Sequence, residues 1–379
     1  MNRLLVVFLR GAADGLSILT PADSRYRDAR PDIATPEADL LTLGADWSMH
    51  PSLRNLHKRV SAKTACLVPA VGLPDGDRSH FAAQHRVEIG GAQAFSLGTG
   101  WLGRHLAATA PDEPNPLRAV SVGAISLPAT LRGTSDAVAA QTLAGLRLGA
   151  APLSGRGRQG GNQGTDKLDP SWFLATWDAA KRTAPGAGVT AASHIEAALA
   201  AAHIGESSEI PEDERSGAAA AAFAEASRVF NAGLGTEIVM LNLGGWDTHN
   251  AQGVGREGIL GTLLADLDTG LDAFLKTHEE DADPVTVLIV TEFGRRVQQN
   301  SSGGTDHGKG GVAIVAGATS AGGVVGDWPG LAELDEGDVK AVNPTTQILG
   351  EVAQKALSTP DLDKVVPGVD SKKFVGVCR

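Results

Sequence analysis

The residues best suited to chemistry in this chain are two pairs of aspartate and histidine. Asp247 and His249 are two positions apart in the segment GGWDTH, and Asp306 directly precedes His307 in GTDHGKGG. A carboxylate and an imidazole so spaced on a turn can converge on one divalent cation. The first pair also fits a plain turn, in which the aspartate caps the next helix and the histidine is solvated. Taken together, the two pairs favour a metal site.

Charged side chains also follow an apolar run just upstream of the second pair. Val285 to Val290 has the β-branched character of a strand buried on both faces, and Val312 to Ala316 is a second such run. Glu292, Arg295 and Arg296 follow the first run directly. Because ligands bind at the carboxyl ends of strands in open α/β sheets, this arrangement is typical of a binding or catalytic site.

The start of the chain offers a third charged segment. The apolar run Leu4 to Leu9 predicts a central strand, and it leads into a loop of small residues that contains Arg10 and Asp14. Such a loop lets the backbone approach a ligand closely, although it lacks the dinucleotide-binding pattern GxGxxG. Either Arg10 and Asp14 face the site, which we favour, or Asp14 and Gly15 form an ordinary turn.

Ser79 occupies the expected start of a helix, in the segment RSHFAAQ. A serine at this position usually caps the helix. It can also be a nucleophile, because a helix N-terminus favours an anionic group beside it. His80 and Gln84 lie one helical turn apart and would face the same side, so His80 is a further candidate catalytic residue.

These candidates need a scaffold of strands that alternate with helices, which is an α/β fold. Short apolar runs predict strands at Leu4–Leu9, Ala65–Val71, Val120–Leu127, Glu237–Leu243, Val285–Val290 and Val312–Ala316. Helical periodicity predicts helices at Leu53–Val60, Ala137–Leu148 and Ile259–Phe274.

Residues 150–232 look like an insertion into this scaffold. They begin with a glycine-rich basic loop and continue with alanine at helical spacing, which predicts two or three helices. We therefore expect a single α/β domain over residues 1–379, with a helical insertion or cap at 150–232.

Composition excludes several classes of protein. Of 379 residues, 42% are hydrophobic and 20% charged, which is typical of a globular chain. The net charge of −11 argues against nucleic acid or an anionic membrane as the main partner. Cys66 and Cys378 form neither a disulfide framework nor a metal-binding spacing. Nothing in the sequence indicates the oligomeric state.

The first apolar run, LLVVFL, is too short for a signal peptide core or a membrane span. A cytoplasmic location is therefore expected, unless residues that precede this chain direct export.

Several motifs, taken in order, resemble those of a bacterial family. They are FLRGAADGLS, MHPSL, RSHFAAQ, GWLGR, GGWDTH, TEFGRR, GTDHGKGG and GDWPG. The family is called domain of unknown function 1501 and is placed in the alkaline phosphatase-like superfamily. The resemblance covers nearly the whole chain and is weakest between residues 150 and 232. It implies a mostly parallel central sheet sandwiched between helices, with metal ligands at the strand ends.

The same resemblance implies a hydrolase of phosphate or sulfate esters that uses one or two divalent ions of zinc, manganese or calcium. Its substrate would be a small anionic ester. Ser79 resembles the nucleophile of the superfamily, and a metal-activated water is the other possibility. The implied ligands are Asp247, His249, Glu292, Asp306 and His307, with Asp14 as a possible substitute at the first strand. The implied stabilisers of oxyanion charge are Arg10, Arg295 and Arg296.

Two positions depart from the superfamily pattern. Arg10 stands where a metal-binding aspartate is usual, and Phe293 follows Glu292 where a histidine is usual. These departures keep two other functions open. One is a catalytically degenerate protein that binds an anionic or glycan ligand, and the other is a structural or scaffold protein.

Overall fold

A computed structural model gives the fold and describes residues 2–73, 75, 77–112, 115–124, 126–140 and 217–379. In this part of the chain, a large and mostly parallel sheet lies between helices. The mixed α/β architecture predicted from the apolar runs is therefore confirmed.

Fourteen strands occur in the described ranges, and nine of them form the central sheet. The strands are β1 Arg3–Leu9, β2 Leu19–Pro21, β3 Leu41–Leu43, β4 Trp47–Met49, β5 Ala65–Gly72, β6 Ala119–Val122, β7 Ala137–Ala140, β8 Ile238–Leu243, β9 Val285–Thr291, β10 Arg295–Gln299, β11 Thr305–His307, β12 Gly311–Gly317, β13 Gly323–Val324 and β14 Asn343–Pro344. The central sheet has the order β13-β5-β12-β9-β1-β8-β6-β7, and β14 pairs with β5.

Among the described strands of this sheet, β12 alone is antiparallel to its neighbours β5 and β9. The strands β8, β1 and β9 are mutually parallel, and so are β6, β7 and β8. Because β12 runs the other way, its beginning lies at the edge where β9 and β5 end. The segments that leave β1, β8 and β9 and the segment that enters β12 therefore meet at one edge.

The central strands are mostly apolar because both faces of the sheet are covered. In β1, Leu5, Val7 and Leu9 belong to one hydrophobic core, and the alternate residues from Leu4 to Phe8 belong to the other. This alternation places successive side chains on opposite faces of the strand.

Helices cover both faces of the sheet. The helices of the described chain are α1 Gly15–Ile18, α2 Ser24–Ala29, α3 Arg54–Ser61, α4 His80–Ile89, α5 Trp101–Ala108, α6 Ala218–Asn231, α7 Gly258–His278, α8 Thr345–Lys355 and α9 Leu362–Val365. Apolar residues of α3, α6 and α7 pack in one core, and those of α4, α5, α8 and α9 pack in the other. None of the described helices is long and apolar enough to cross a membrane.

The first four residues of one predicted helix form a strand. The alanine-rich segment from Ala137 to Leu148 has strong helix propensity, but residues Ala137–Ala140 form the edge strand β7 beside β6. Pairing with the sheet overrides the local preference. The rest of that predicted helix and most of the predicted insertion, residues 150–216, lie outside the described residues. The helix α6 is the described part of it, so the division of the chain into a domain and an insertion stays a prediction.

The N-terminus of α3 is capped from another helix. Leu53, which precedes α3, has no side-chain capping bond. The carboxylate of Asp268 in α7 instead accepts the backbone N–H groups of Asn55 and Leu56 at 3.0 and 2.8 Å. Asp266 accepts the N–H groups of Ala219 and Ala220 at the start of α6 in the same way. The long helix α7 thus holds two neighbouring helix ends in place.

We predict that Asp268→Ala lowers the free energy of unfolding by about 1–2 kcal/mol, because two buried N–H groups lose their acceptor. Urea denaturation of the variant and the parent protein gives this difference. Thr269→Ala, which changes the adjacent and exposed position, is the control and should shift it by less than about 0.5 kcal/mol. Equal stability of the Asp268→Ala variant and the parent would contradict the capping role.

Candidate metal centre

Three parallel strands end side by side at the candidate site. Leu9 at the end of β1 is in register with Leu243 of β8 and with Thr291 of β9. The loops that follow these strands therefore start at the same level. They carry Arg10, the GGWDTH turn and Glu292, as expected for a site at the carboxyl edge of an α/β sheet.

The second aspartate-histidine pair reaches the same edge through a hairpin. Between β9 and β12 the chain forms the antiparallel pair β10 and β11, in which Arg295 lies opposite His307. This hairpin returns His307 to the end of β9 before the chain enters β12. The sequence between the two buried strands therefore positions a ligand.

Three side chains converge at this edge: His80 from the first turn of α4, Asp247 from the turn after β8, and His307 from β11. Their candidate ligand atoms all lie within 4.8 Å of one another. His80 Nε2 is 3.0 Å from His307 Nε2. The carboxylate oxygens of Asp247 lie 3.6 Å from His80 Nε2 and 3.7 Å from His307 Nε2. These three residues are the candidate metal-binding cluster.

The hydrogen bonds on the far side of each imidazole fix which nitrogen faces the cluster. His80 Nδ1 lies 2.7 Å from Glu292 Oε1, and His307 Nδ1 lies 3.0 Å from the carbonyl oxygen of Arg78. Since carboxylate and carbonyl oxygens are acceptors, each Nδ1 carries the proton and donates it. Each Nε2 then presents a lone pair to the cluster, as in histidine ligands of metals.

A divalent cation can bridge two facing imidazole nitrogens and a carboxylate, and the spacing of these groups is near the value that a cation requires. Metal–nitrogen and metal–oxygen bonds of about 2.0–2.2 Å at tetrahedral angles give ligand atoms about 3.3–3.5 Å apart. The two Nε2 atoms lie 3.0 Å apart, Asp247 Oδ2 lies 3.6 Å from that of His80, and Asp247 Oδ1 lies 3.7 Å from that of His307. The three side chains are therefore close enough together to hold one ion. Three protein ligands would leave a fourth position for water or substrate. The side chain of Asp247 is 47% exposed.

Glu292 lies behind His80 and not in the cluster. It is fully buried, and its Oε1 accepts hydrogen bonds from His80, Gln84 Nε2 and the Gly11 N–H, while Oε2 accepts one from the Thr291 hydroxyl. Burial would raise the pKa of this carboxyl, but the bonds from His80, Gln84 and Gly11 outweigh it and lower the pKa to about 2. Glu292, expected as a ligand, is instead the acceptor that orients His80.

Arg295 holds Asp247 in place. This arginine is buried, and its guanidinium donates to the carbonyl oxygens of Gly11, Ala12 and Thr305 and to Asp247 Oδ1. Burial would raise the pKa of Asp247, but the hydrogen bond and charge of Arg295 lower it. Arg295 therefore keeps Asp247 ionised and positioned, which differs from the direct contact with substrate oxygens that the resemblance implied.

The turn that carries Asp247 requires glycine at residue 11. Gly11 has φ +119°, and a Cβ atom there would lie 2.4 Å from the backbone nitrogen of Asp247. The close approach lets the loop after β1 reach both Arg295 and Glu292. A glycine in the small-residue loop is thus needed for the backbone contacts that form the site.

Phe293 packs against the histidines of the cluster. Its ring centroid lies 4.9 Å from that of His80 and 5.0 Å from that of His307, and the side chain is buried. Phe293 therefore restrains the two imidazole rings by packing. Burial lowers the pKa of His307 from its ordinary value of 6.5, so its imidazole is neutral and able to bind a metal near pH 7.

His249 and Asp306 lie at the rim of the cluster. His249 Nε2 is 3.2 Å from Asp247 Oδ1, and His249 Nδ1 is 3.2 Å from Asp306 Oδ1. Asn300 Nδ2 donates to the same oxygen of Asp306. The two predicted pairs are therefore brought together, but His249 and Asp306 flank the three converging groups and contact each other.

Asp14 is placed away from the cluster, in a buried ion pair. Both of its oxygens accept from Arg30, at 2.6 and 3.0 Å, and it accepts further bonds from Ser17 and Gln252. Burial would raise the pKa of Asp14, but the charge of Arg30 lowers it. This carboxylate is saturated with donors, so it does not serve as the substitute ligand expected from the sequence.

The remaining candidates are also located. Arg10 donates to Asn242, Gln84 and Glu88, so it braces α4 against β8. Arg296 faces the segment around residues 336–338. Ser79 is exposed, precedes α4 directly, and its hydroxyl makes no capping bond to that helix. The capping interpretation of this serine is therefore not supported.

From its place in the sequence, His80 was expected near the site but not among the candidate metal ligands. The signal was the spacing of His80 and Gln84, since both bind the same oxygen of Glu292. Nothing in the sequence indicated the role of the Arg78 carbonyl, which depends on a contact with His307, 229 residues away. The role of the buried Arg30 was also hidden, because it depends on a contact with Asp14, 16 residues away.

The fold and the site define an α/β protein with a candidate divalent-metal centre at the carboxyl ends of its strands. The family model of DUF1501, described as a protein of unknown function, matches residues 1–346, so the chain belongs to this family. Among curated proteins, none matches this sequence. A solved structure described as Ps i-CgsB in complex with k-i-k-neocarrahexaose is similar at 8% identity and a TM-score of 0.38, covering 97% of this chain and 74% of that chain.

We predict that the protein binds one equivalent of Zn²⁺ and that His80→Ala or His307→Ala each abolishes stoichiometric binding. Glu292→Gln should weaken binding by about 10–100-fold, because it loosens the orientation of His80. Competition titration with a chelating dye measures these affinities. His57→Ala, at an exposed histidine bound to the carbonyl of Thr42, is the matched control and should bind like the parent. Undiminished binding in both cluster variants would refute the assignment.

A second prediction concerns acid stability. The pKa of Glu292 is depressed from 4.5 to about 2, so its ionisation stabilises the fold fully above pH 4.5 and this contribution is lost as the pH falls towards 2. In Glu292→Gln, the free energy of unfolding should therefore decrease less steeply between pH 5 and pH 3 than in the parent. Urea denaturation at several pH values tests this. Glu333→Gln, which removes an exposed carboxyl, should keep the slope of the parent.

Proposed function

We propose that this protein is a metal-dependent hydrolase of phosphate or sulfate esters, built on an alkaline phosphatase-like fold, with one divalent ion held by His80, Asp247 and His307. The observation that carries the proposal is the convergence of two imidazole nitrogens and a carboxylate. The Nδ1 atom of each imidazole already has an acceptor, and the carboxylate of Asp247 accepts a hydrogen bond from Arg295. A group so prepared binds a cation tightly.

The donor set favours zinc. Two imidazoles and one carboxylate are the ligands typical of catalytic zinc sites, whereas calcium prefers six or more oxygen ligands. When bound, the ion would polarise an ester oxygen and lower the pKa of a water molecule. The chain itself would hold the ligands: Glu292 keeps the proton on His80 Nδ1, and Arg295 keeps Asp247 ionised.

Ser79 is the candidate nucleophile on this chain, and a water molecule is the alternative. Its hydroxyl is exposed and adjacent to His80 in sequence, and it lies at the N-terminus of the ten-residue helix α4. Backbone N–H groups at that end favour an anion, which supports an ionised serine or a phosphoryl group there. His249 at the rim is partly exposed and suited to accept or donate a proton.

The test is hydrolysis of aryl phosphates and aryl sulfates by the zinc-loaded protein. We expect activity on one ester class, a loss of at least about 100-fold in kcat/KM for His307→Ala, and full activity for His57→Ala. Ser79→Ala then separates the two nucleophiles. If serine attacks, this variant is inactive but still binds zinc. If water attacks, it retains most of its activity.

Other results would overturn the proposal in distinct ways. Stoichiometric zinc with no hydrolysis of either ester class would indicate a catalytically degenerate protein that binds a ligand. Absence of zinc binding would mean that His80 and His307 share a proton and have a structural role.

A further inference from the structure

An acidic segment lies across three basic side chains beside the metal centre. Lys309 Nζ lies 2.8 Å from Asp335 Oδ2 and 3.3 Å from Glu336 Oε2. Arg78 Nη2 lies 3.0 Å from the same Glu336 oxygen and also pairs with Asp338. The third basic side chain, Arg296, donates to the Glu336 carbonyl oxygen at 3.3 Å.

The basic side chains belong to the segments that form the metal centre. The backbone carbonyl of Arg78 accepts the Nδ1 proton of His307, and Arg78 is two residues before His80. Lys309 is two residues after His307. The two cations therefore belong to the same chain segments as two members of the cluster.

The acidic residues of this segment differ in burial. Asp338 is fully buried, and it fixes the guanidinium of Arg78 from the protein side. The side chain of Glu336 is 71% exposed, at the tip of a tight turn closed by two backbone hydrogen bonds between Asp335 and Asp338. Glu336 has φ +55°, a left-handed conformation that is unfavourable for a residue other than glycine. Its carboxylate is thus exposed and weakly held.

Arg78 also has unused donors. Its Nε is buried and has no hydrogen-bond partner, and within the described ranges its Nη1 makes no hydrogen bond either. A guanidinium presents its donors as a planar fork that matches the oxygens of phosphate or sulfate. One carboxylate oxygen of Glu336 therefore contacts only a few of the hydrogen-bond donors of Arg78 and Lys309.

We propose that Arg78 and Lys309 form an anion-binding subsite beside the metal centre, which Glu336 occupies as a stand-in until a phosphate or sulfate group of a ligand displaces it. The occupant is a tetrahedral oxyanion, because the subsite combines a guanidinium fork with a point cation. The inference rests on the proposed function for its link to hydrolysis, but anion binding by the pair does not need the metal.

The test measures the affinity of the full chain for inorganic phosphate and for sulfate by isothermal titration calorimetry, as purified and after dialysis against a chelator. In the chelated protein we expect Glu336→Gln to raise the affinity roughly three- to tenfold, since a ligand no longer breaks two exposed ion pairs. Adding Lys309→Gln or Arg78→Gln to this variant should remove the gain.

Glu333→Gln is the matched control, because it removes the same charge from the same segment. Glu333 is 86% exposed and pairs with Lys340 instead of the subsite. Glu333→Gln should change the affinity for phosphate or sulfate by less than about 1.5-fold at physiological ionic strength, because distant charges are screened there. An equal gain of anion affinity in both variants would show a general effect of charge and overturn the subsite. Unchanged affinity in Glu336→Gln would also overturn it.

The experiment keeps this inference separate from the proposed function. If zinc binding and ester hydrolysis are found but Glu336→Gln leaves anion affinity unchanged, the subsite is refuted and the hydrolase stands. If the variant gains affinity and neither zinc nor hydrolysis is found, the subsite stands and the hydrolase is refuted.

Discussion

The buried guanidinium of Arg295 is the interaction on which the site depends. A charged group without solvent is costly unless every donor is satisfied, and Arg295 satisfies its donors with carbonyl oxygens of the loop after β1, the hairpin strand β11 and Asp247 after β8. Three segments that are far apart in sequence are thereby tied to one point. The position of Asp247, and through it the geometry of the cluster, follows from this constraint.

The scaffold was predictable because its strands are buried on both faces. The runs at β1, β5, β8, β9 and β12 are uniformly apolar, so the strand bounds found in the structure differ from the predicted ones by two residues or fewer. Edge strands lack this signal. The segment Ala137–Ala140 became strand β7 because it pairs with β6, a contact that no local pattern reveals. The antiparallel direction of β12, which places its start beside the end of β9, was equally hidden.

For the site, the sequence indicated which segments converge but not which role each residue has. Glu292 and Asp247 both follow buried strands, and both are acidic. The structure distinguishes them by their partners: Glu292 accepts from His80, whereas Asp247 leaves a half-exposed carboxylate that faces two imidazoles. A ligand and the group that orients a ligand can have the same residue type, and only the three-dimensional arrangement separates them.

The charged residues near the end of β1 add no further ligand to the proposed metal centre. In this chain the end of β1 carries a cation, Arg10, which is neutralised by Glu88, and the nearby carboxylate of Asp14 is neutralised by Arg30. Neither residue is left to hold a second ion. The proposed centre, with one divalent ion, would carry less positive charge than one with two, so it would have more need of protein cations to attract the proposed anionic ester. Arg78 and Lys309, held beside His80 and His307 by the same backbone that forms the metal site, are placed to supply that charge.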